Sequence, residues 1–92
     1  MERKEHFERI AKELAELFSQ KNLEYGDDFF TGGYSDIERW MSIKRKVARL
    51  TTFYEKKTEM KLETATETWQ DLAIYCIMEL MYREINNGKQ SI

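Results

Sequence analysis

A row of cationic side chains in the middle of the sequence has the residue types needed to bind an anion. Arg39, Lys46 and Arg49 are separated by seven and three residues, so one flank of a helix would carry all three. Guanidinium and ammonium groups donate charged hydrogen bonds to phosphate oxygens. A surface row paired with glutamates of a neighbouring helix would show the same spacing. The row therefore indicates either an anion site or an ion-paired surface.

Aromatic residues and glycines crowd the segment that precedes this row. From Leu23 to Ser35 the sequence reads LEYGDDFFTGGYS and contains three of the chain's four glycines. Rings on a glycine-hinged loop can stack on a nucleobase, although they can equally cap a helix bundle. The rings predicted to stack on a ligand are Tyr25, Phe29, Tyr34 and Trp40.

Carboxylates recur every four residues near the start of the last apolar segment. Glu63, Glu67 and Asp71 would form a column of like charges on one helix face, which mildly destabilises an isolated helix. Such a column can hold Mg²⁺ against a phosphate. It can also be neutralised by the cationic row. Ion pairing is the favoured interpretation, with Glu67 and Asp71 orienting the cations or accepting hydrogen bonds from a base edge.

Three amphipathic helices are predicted to position these groups. The first runs from about Glu2 to Gln20, with apolar residues at intervals of three or four. The second runs from about Asp36 to Lys56, and Ser35 with Glu38 forms a capping box before it. The apolar stripe predicted to face the core from the second helix consists of Trp40, Ile43, Val47, Leu50 and Tyr54.

The third helix is predicted from about Ala65 to Ile85, with a cap formed by Thr64 and Glu67. Its middle, LAIYCIMELMY, is apolar nearly all round, so it should be buried on more than one side. The other two helices of this small chain do not have enough apolar surface to bury the third helix on all sides. The predicted fold is therefore an all-α three-helix bundle that is homo-oligomeric, a dimer or tetramer, with a long glycine-aromatic loop between helices one and two.

Composition limits the class of protein. The chain has 92 residues, no proline and 35% charged residues, which is typical of one helical domain spanning 1–92. The formal net charge of −2 argues against direct nucleic-acid binding. We recognise no signal peptide and no apolar run long enough for a bilayer, so we expect a cytoplasmic protein without membrane contact. Cys76 is the only cysteine, which excludes an internal disulfide.

Three segments of the chain carry motifs in a defined order. They are KNLEYGDDFF (Lys21–Phe30), IKRKVARL (Ile43–Leu50) and ETWQDLAIYCIM (Glu67–Met78). These resemble, in turn, the KNxDYGxSF signature, the R..DK..RL helix and the DTLLDLANYAIM helix of the phage nucleotide-modification-associated domain family. The resemblance covers about Lys21 to Tyr82. That family is small, helical and remotely similar to MazG-like all-α nucleoside-triphosphate pyrophosphatases.

The resemblance implies nucleotide binding, and two departures from it bear on the chemistry. MazG-like enzymes bind Mg²⁺ through acidic helix motifs and hydrolyse the α–β phosphate linkage. Here Ile74 replaces an Asn of the family pattern and can neither ligate a metal nor donate a hydrogen bond. Arg45 replaces an Asp. The remaining set is suited to binding an anionic aromatic ligand.

We therefore expect a non-catalytic phage-type protein, without cofactor, that sequesters a nucleotide signal. The resemblance extends to small helical phage sponges that sequester the cyclic dinucleotides of bacterial CBASS defence. One alternative is a MazG-like pyrophosphatase with Mg²⁺ held by the acidic column, and another is a helical protein-interaction module. The expected ligand-binding residues are Tyr25, Phe29, Tyr34, Trp40, Arg39, Lys46, Arg49, Glu67 and Asp71.

Overall fold

Apolar residues at helical spacing produce three α-helices in the described part of the chain, as a computed structural model shows. These are α1 (Arg3–Tyr25), α2 (Asp36–Lys56) and α3 (Leu62–Asn86). No strand occurs among the described residues, so the all-helical prediction is confirmed for them. The structure describes residues 2–25, 29–31, 33–56 and 62–86, without the side chains of 23–25 and 62–63.

The second helix begins and ends at the predicted residues, and its start is set by the predicted capping box, which forms. The backbone N–H of Glu38 donates to Ser35 Oγ at 3.3 Å, and the backbone N–H of Ser35 donates to Glu38 Oε1 at 3.0 Å. The Ser35 hydroxyl donates to the same carboxylate oxygen at 3.0 Å. Both of these Ser35 donors lower the pKa of Glu38, and the backbone N–H has the larger effect.

The other two helices are longer than predicted. α1 continues past Gln20 to Tyr25, the last residue before the first glycine of the chain, so the start of the predicted loop is helical. α3 already begins at Leu62. The predicted cap at Thr64 is therefore wrong: Thr64 lies within the first helical turn, and its carbonyl oxygen accepts a hydrogen bond from Thr68 Oγ1 at 2.9 Å.

The helix α3 is central, because α1 and α2 both pack against it. Phe29, Ile74 and Met78 form a buried cluster where α1 meets α3. This core is small, and the radius of gyration of 14.8 Å exceeds the roughly 12 Å expected for a compact chain of this length. Large apolar surfaces consequently stay uncovered.

The helix α2 presents a different side to α3 from the one predicted. Of the predicted apolar stripe only Leu50 is fully buried, while Trp40, Val47 and Tyr54 are 54%, 43% and 56% exposed. Arg39 is buried instead, with 2% exposure. The predicted orientation followed the apolar stripe, whereas the observed orientation satisfies ion pairs between α2 and α3.

The longest apolar run of the chain lies in α3, where Asp71 precedes it and Glu79 and Arg83 follow it. Within the described residues, no helix has both the length and the apolarity required to cross a membrane.

Candidate anion-binding site

A hollow of about 220 Å³ lies where the cationic flank of α2 meets α3. Helix α2 contributes its residues at intervals of three and four, which places them on one flank. Helix α3 contributes one tyrosine. The residues lining this hollow are Ser42, Arg45, Lys46, Arg49 and Tyr75.

A second hollow, of about 260 Å³, adjoins the first toward the start of α2. The two hollows share Ser42 and Arg45 and therefore lie side by side, and we call them together the α2 groove. Tyr34 and Met41 add an aromatic and a thioether surface at this end. The remaining residues lining the second hollow are Ile37 and Glu38.

Positive charge dominates the first hollow. Lys46 Nζ lies 3.4 Å from Asp71 Oδ2, and Lys21 Nζ lies 2.8 Å from Asp71 Oδ1, so two ammonium groups share one carboxylate. Arg45 donates to Ser42 Oγ at 3.3 Å. Within the described residues no carboxylate pairs with Arg45 or Arg49. An anion could therefore bind to two guanidinium groups in the groove without breaking an ion pair of the protein.

Three of the predicted ligand residues border this groove. Lys46 and Arg49 line the first hollow, and Tyr34, 41% exposed, lines the second. Tyr25 is the last residue of α1, and its side chain lies outside the described residues.

Phe29 was predicted to stack on a ligand, but the structure buries it with 4% exposure. Its ring centroid lies 6.4 Å from that of Tyr34 and 6.3 Å from that of Tyr75. Both tyrosines of the α2 groove therefore rest on Phe29. Its ring has no face open to a ligand, because an apolar ring gains most by joining the core beside Ile74 and Met78. Phe29 supports the site from beneath.

Arg39 was predicted to assist phosphate binding, but its guanidinium is buried and engaged by the protein itself. Nε donates to Glu79 Oε1 at 2.7 Å, a second nitrogen donates to the Tyr34 carbonyl at 2.9 Å, and a third pairs with Asp36. The guanidinium carbon lies 3.5 Å from the centroid of the Tyr82 ring. Burial alone would lower the pKa of Arg39, but hydrogen bonds to Glu79 and Asp36 outweigh it and raise the pKa.

Trp40 is exposed but lies away from the α2 groove. It is five residues before Arg45, which at roughly 100° per residue places the two side chains on different sides of α2. The indole lines neither hollow. Its half-exposed ring belongs to the apolar surface described further below.

The acidic column divides into residues with different surroundings. Asp71 accepts from Lys46 and Lys21, which is the ion-paired arrangement favoured from the sequence. Glu67 is exposed, and the side chain of Glu63 lies outside the described residues. Among the residues that the structure describes, no group of three or more histidine, cysteine, aspartate or glutamate side chains is placed to hold a metal ion.

Six residues of the groove were not among the predicted ligands, and Arg45 and Tyr75 are the two that matter most for an anionic aromatic ligand. Arg45 follows Ser42 by three residues and precedes Arg49 by four, so its spacing already placed it on the same flank. Tyr75 follows Asp71 by four residues on α3. The predicted pairing of Asp71 with the cationic row already indicated that this side of α3 faces the cations, and Tyr75 lies on the same side.

No protein-family model matches the chain, and no match was found among curated proteins or solved structures. The family resemblance rests on its three motifs alone.

Proposed function

We propose that the protein binds a phosphate-bearing aromatic ligand, a nucleotide, in the α2 groove and holds it without turnover. The observation that carries the proposal is the meeting of Arg45, Lys46 and Arg49 with the Tyr75 ring in one hollow. Phosphate oxygens accept charged hydrogen bonds from the cations, while a base lies against a tyrosine ring.

The groove contains two tyrosine rings that could each stack on a base, and several cations that could bind phosphates. Tyr34 lies in the second hollow and Tyr75 in the first, and the shared Arg45 lies between them. Three cations suit a ligand with two phosphates, which agrees with the expected cyclic dinucleotide. The sequestering of a defence signal in the host cytoplasm is the biological role that the family resemblance adds to this chemistry.

The absence of turnover in the proposal follows from how Asp71 is occupied. Hydrolysis requires a water activated by a metal ion or a base. Both carboxylate oxygens of Asp71 accept from lysines, so a cation binding there would have to displace Lys21 and Lys46. In the proposed role those lysines keep Asp71 neutralised, and the excess positive charge remains for the ligand.

Calorimetric titration with linear and cyclic nucleotides tests the proposal. A charged hydrogen bond contributes roughly 1.5–3 kcal/mol, so Arg49→Ala should weaken binding by about 10- to 150-fold. Lys44→Ala is the matched control: it removes the same charge from an exposed position that lines neither hollow. This control should leave the dissociation constant within about twofold.

Equal affinity of the Arg49 and Lys44 variants would reject the assignment of the α2 groove. A complete lack of thermal stabilisation by every nucleotide, even at millimolar concentration, would reject nucleotide binding altogether. Release of pyrophosphate from a triphosphate in the presence of Mg²⁺ would replace the non-catalytic role with the pyrophosphatase alternative.

A further inference from the structure

The side of the molecule opposite the α2 groove carries an extended apolar surface. Its six large side chains are between 40% and 56% exposed. We call this surface the apolar face, and it consists of Trp40, Val47 and Tyr54 of α2 with Trp69, Ile77 and Leu80 of α3, together with the smaller Ala73 and Cys76 between them.

Two parallel rows make up this face. The α2 residues are seven apart, which is nearly two helical turns, so they lie in one line along the helix. On α3, Trp69, Ala73, Cys76 and Leu80 are spaced by four, three and four residues. This is the spacing of a helix that packs along its length against another helix. A hydrogen bond from Trp69 Nε1 to Tyr54 Oη, at 3.0 Å, joins the two rows.

The apolar face continues into a groove between α1 and α3. This groove has a volume of about 420 Å³, and Ile77 belongs to both surfaces. Its α1 wall includes Ala11 and Ala15, whose small side chains allow close approach of another element. The other residues lining it are Leu14, Phe18, Ile74, Met78 and Met81.

The α3 row also lacks charge. From Thr66 to Leu80 every residue on this side of α3 is uncharged. Of the three charged residues in that span, Asp71 and Glu79 lie on the sides that pack against α1 and α2, and the exposed Glu67 lies nearly half a turn around the helix from Trp69. The central part of a protein interface is depleted of charge in the same way. A helix side that faced only solvent would normally carry the Lys and Glu residues found elsewhere in this chain.

We propose that a second copy of the chain covers the apolar face, with the two α3 helices antiparallel around a two-fold axis between Ala73 and Cys76. The row reads large, small, small, large from Trp69 to Leu80. A two-fold axis at its centre therefore sets small residues opposite small ones and Trp69 opposite the partner's Leu80. A self-complementary pattern of this kind is what a two-fold interface requires.

The available area is of the right order for a dimer. Three aromatic side chains of roughly 150–250 Å² each, about half exposed, together with three aliphatic ones, offer several hundred Å² on each copy. A stable interface buries roughly 800 Å² per partner. Contacts from the groove between α1 and α3 would supply the remainder.

This dimer leaves the α2 groove accessible on both copies. Arg45 and Arg49 lie about half a turn around α2 from Trp40, Val47 and Tyr54, so the grooves face outward on opposite sides of the pair. The proposal is independent of nucleotide binding. If both hold, each chain binds its own ligand, and the ligand does not bridge the two-fold axis.

Sedimentation velocity and light scattering on the full chain test the dimer. At tens of micromolar we expect twice the chain mass of 11.1 kDa for the wild type and for Phe7→Glu. Phe7 is 74% exposed near the start of α1, outside the apolar face, and serves as the matched control. Leu80→Glu buries a carboxylate in the interface and should give a monomer that retains its helical circular dichroism.

Cross-linking locates the axis without depending on a destabilising substitution. Ala73→Cys places a thiol opposite the partner's Cys76, so mild oxidation should give a covalent dimer on a non-reducing gel. Glu84→Cys is exposed on the same helix with no cysteine opposite it and should cross-link at least fivefold less. A wild-type mass of one chain, or equal cross-linking of the two cysteine variants, would overturn the proposal.

Discussion

The two sides of α2 differ in a way that its sequence does not suggest. The side richest in apolar residues, with Trp40, Val47 and Tyr54, is exposed, whereas the flank that carries Arg39 and Lys46 packs toward α3. The difference shows that specific ion pairs can set the orientation of a helix within its own chain. The apolar stripe can then stay exposed on the chain if another molecule covers it. In this chain we propose that a second copy supplies that surface.

The largest effect is expected from removing the buried guanidinium of Arg39. Among the described residues, Arg39→Met leaves Glu79 with the exposed Arg83 as its one ion-pair partner, and it frees the Tyr34 carbonyl. Loss of one member of a buried ion pair typically costs about 3–5 kcal/mol. We expect a fall of that size in the free energy of unfolding, measured by urea denaturation followed by circular dichroism.

Two further variants separate the ion pair from the general effect of the substitution. Arg45→Met makes the same change at an exposed position and should alter the free energy of unfolding by less than about 0.5 kcal/mol. The double variant Arg39→Met with Glu79→Met leaves neither charge unpaired and should recover part of the loss. Similar losses in the Arg39 and Arg45 variants would show that the buried pair does not hold α2 in place.

Arg39 also shows where sequence reasoning was sufficient and where it was not. Helix number, helix type and the bounds of α2 follow from local signals, namely apolar periodicity and the Ser35–Glu38 capping box. Arg39 was assigned to the ligand because its spacing matches that of Lys46. Spacing identifies a flank of a helix but not the helix that covers it, and Glu79 lies forty residues away in the sequence.

The same limit explains the aromatic residues. Tyr34 and Phe29 have similar propensities and lie close together in the sequence, yet one ring is 41% exposed and the other is 4% exposed. Which ring enters the core depends on the cavity left by Ile74 and Met78 of a distant helix. Composition indicated that rings and cations would meet, and only the tertiary structure distinguishes the supporting ring from the accessible ones.

A change at Phe29 sharpens the contrast between supporting and contacting residues. Phe29→Leu keeps an apolar side chain of similar size, so the loss in the free energy of unfolding should stay near 1–1.5 kcal/mol. Because Tyr34 and Tyr75 both pack on this ring, nucleotide affinity measured by calorimetry should also fall, by about three- to tenfold. Met78→Leu is the control, because it alters the same core at a residue that lines neither hollow. A variant that loses stability while keeping full affinity would show that Phe29 is core filler alone.

The smallest expected effect concerns the cap that starts α2 beside the second hollow. Ser35→Ala removes the acceptor for the Glu38 backbone N–H and should lower the free energy of unfolding by about 1 kcal/mol.

The pKa of Glu38 is lowered in the folded state, so its stabilising contribution is present above the ordinary carboxylate pKa and is lost as the pH falls through the folded pKa. Part of that lowering comes from the Ser35 hydroxyl, so the difference between wild type and Ser35→Ala in urea denaturation should be larger at pH 7 than at pH 3. Thr52→Ala also removes a hydroxyl from α2, one that within the described part of the chain donates to the Ala48 carbonyl and to no carboxylate, and its effect should not change with pH. If Ser35→Ala lowers the free energy of unfolding by the same amount at both pH values, the Glu38 carboxylate contributes nothing to the cap. Glu38 would then be available to a ligand in the α2 groove.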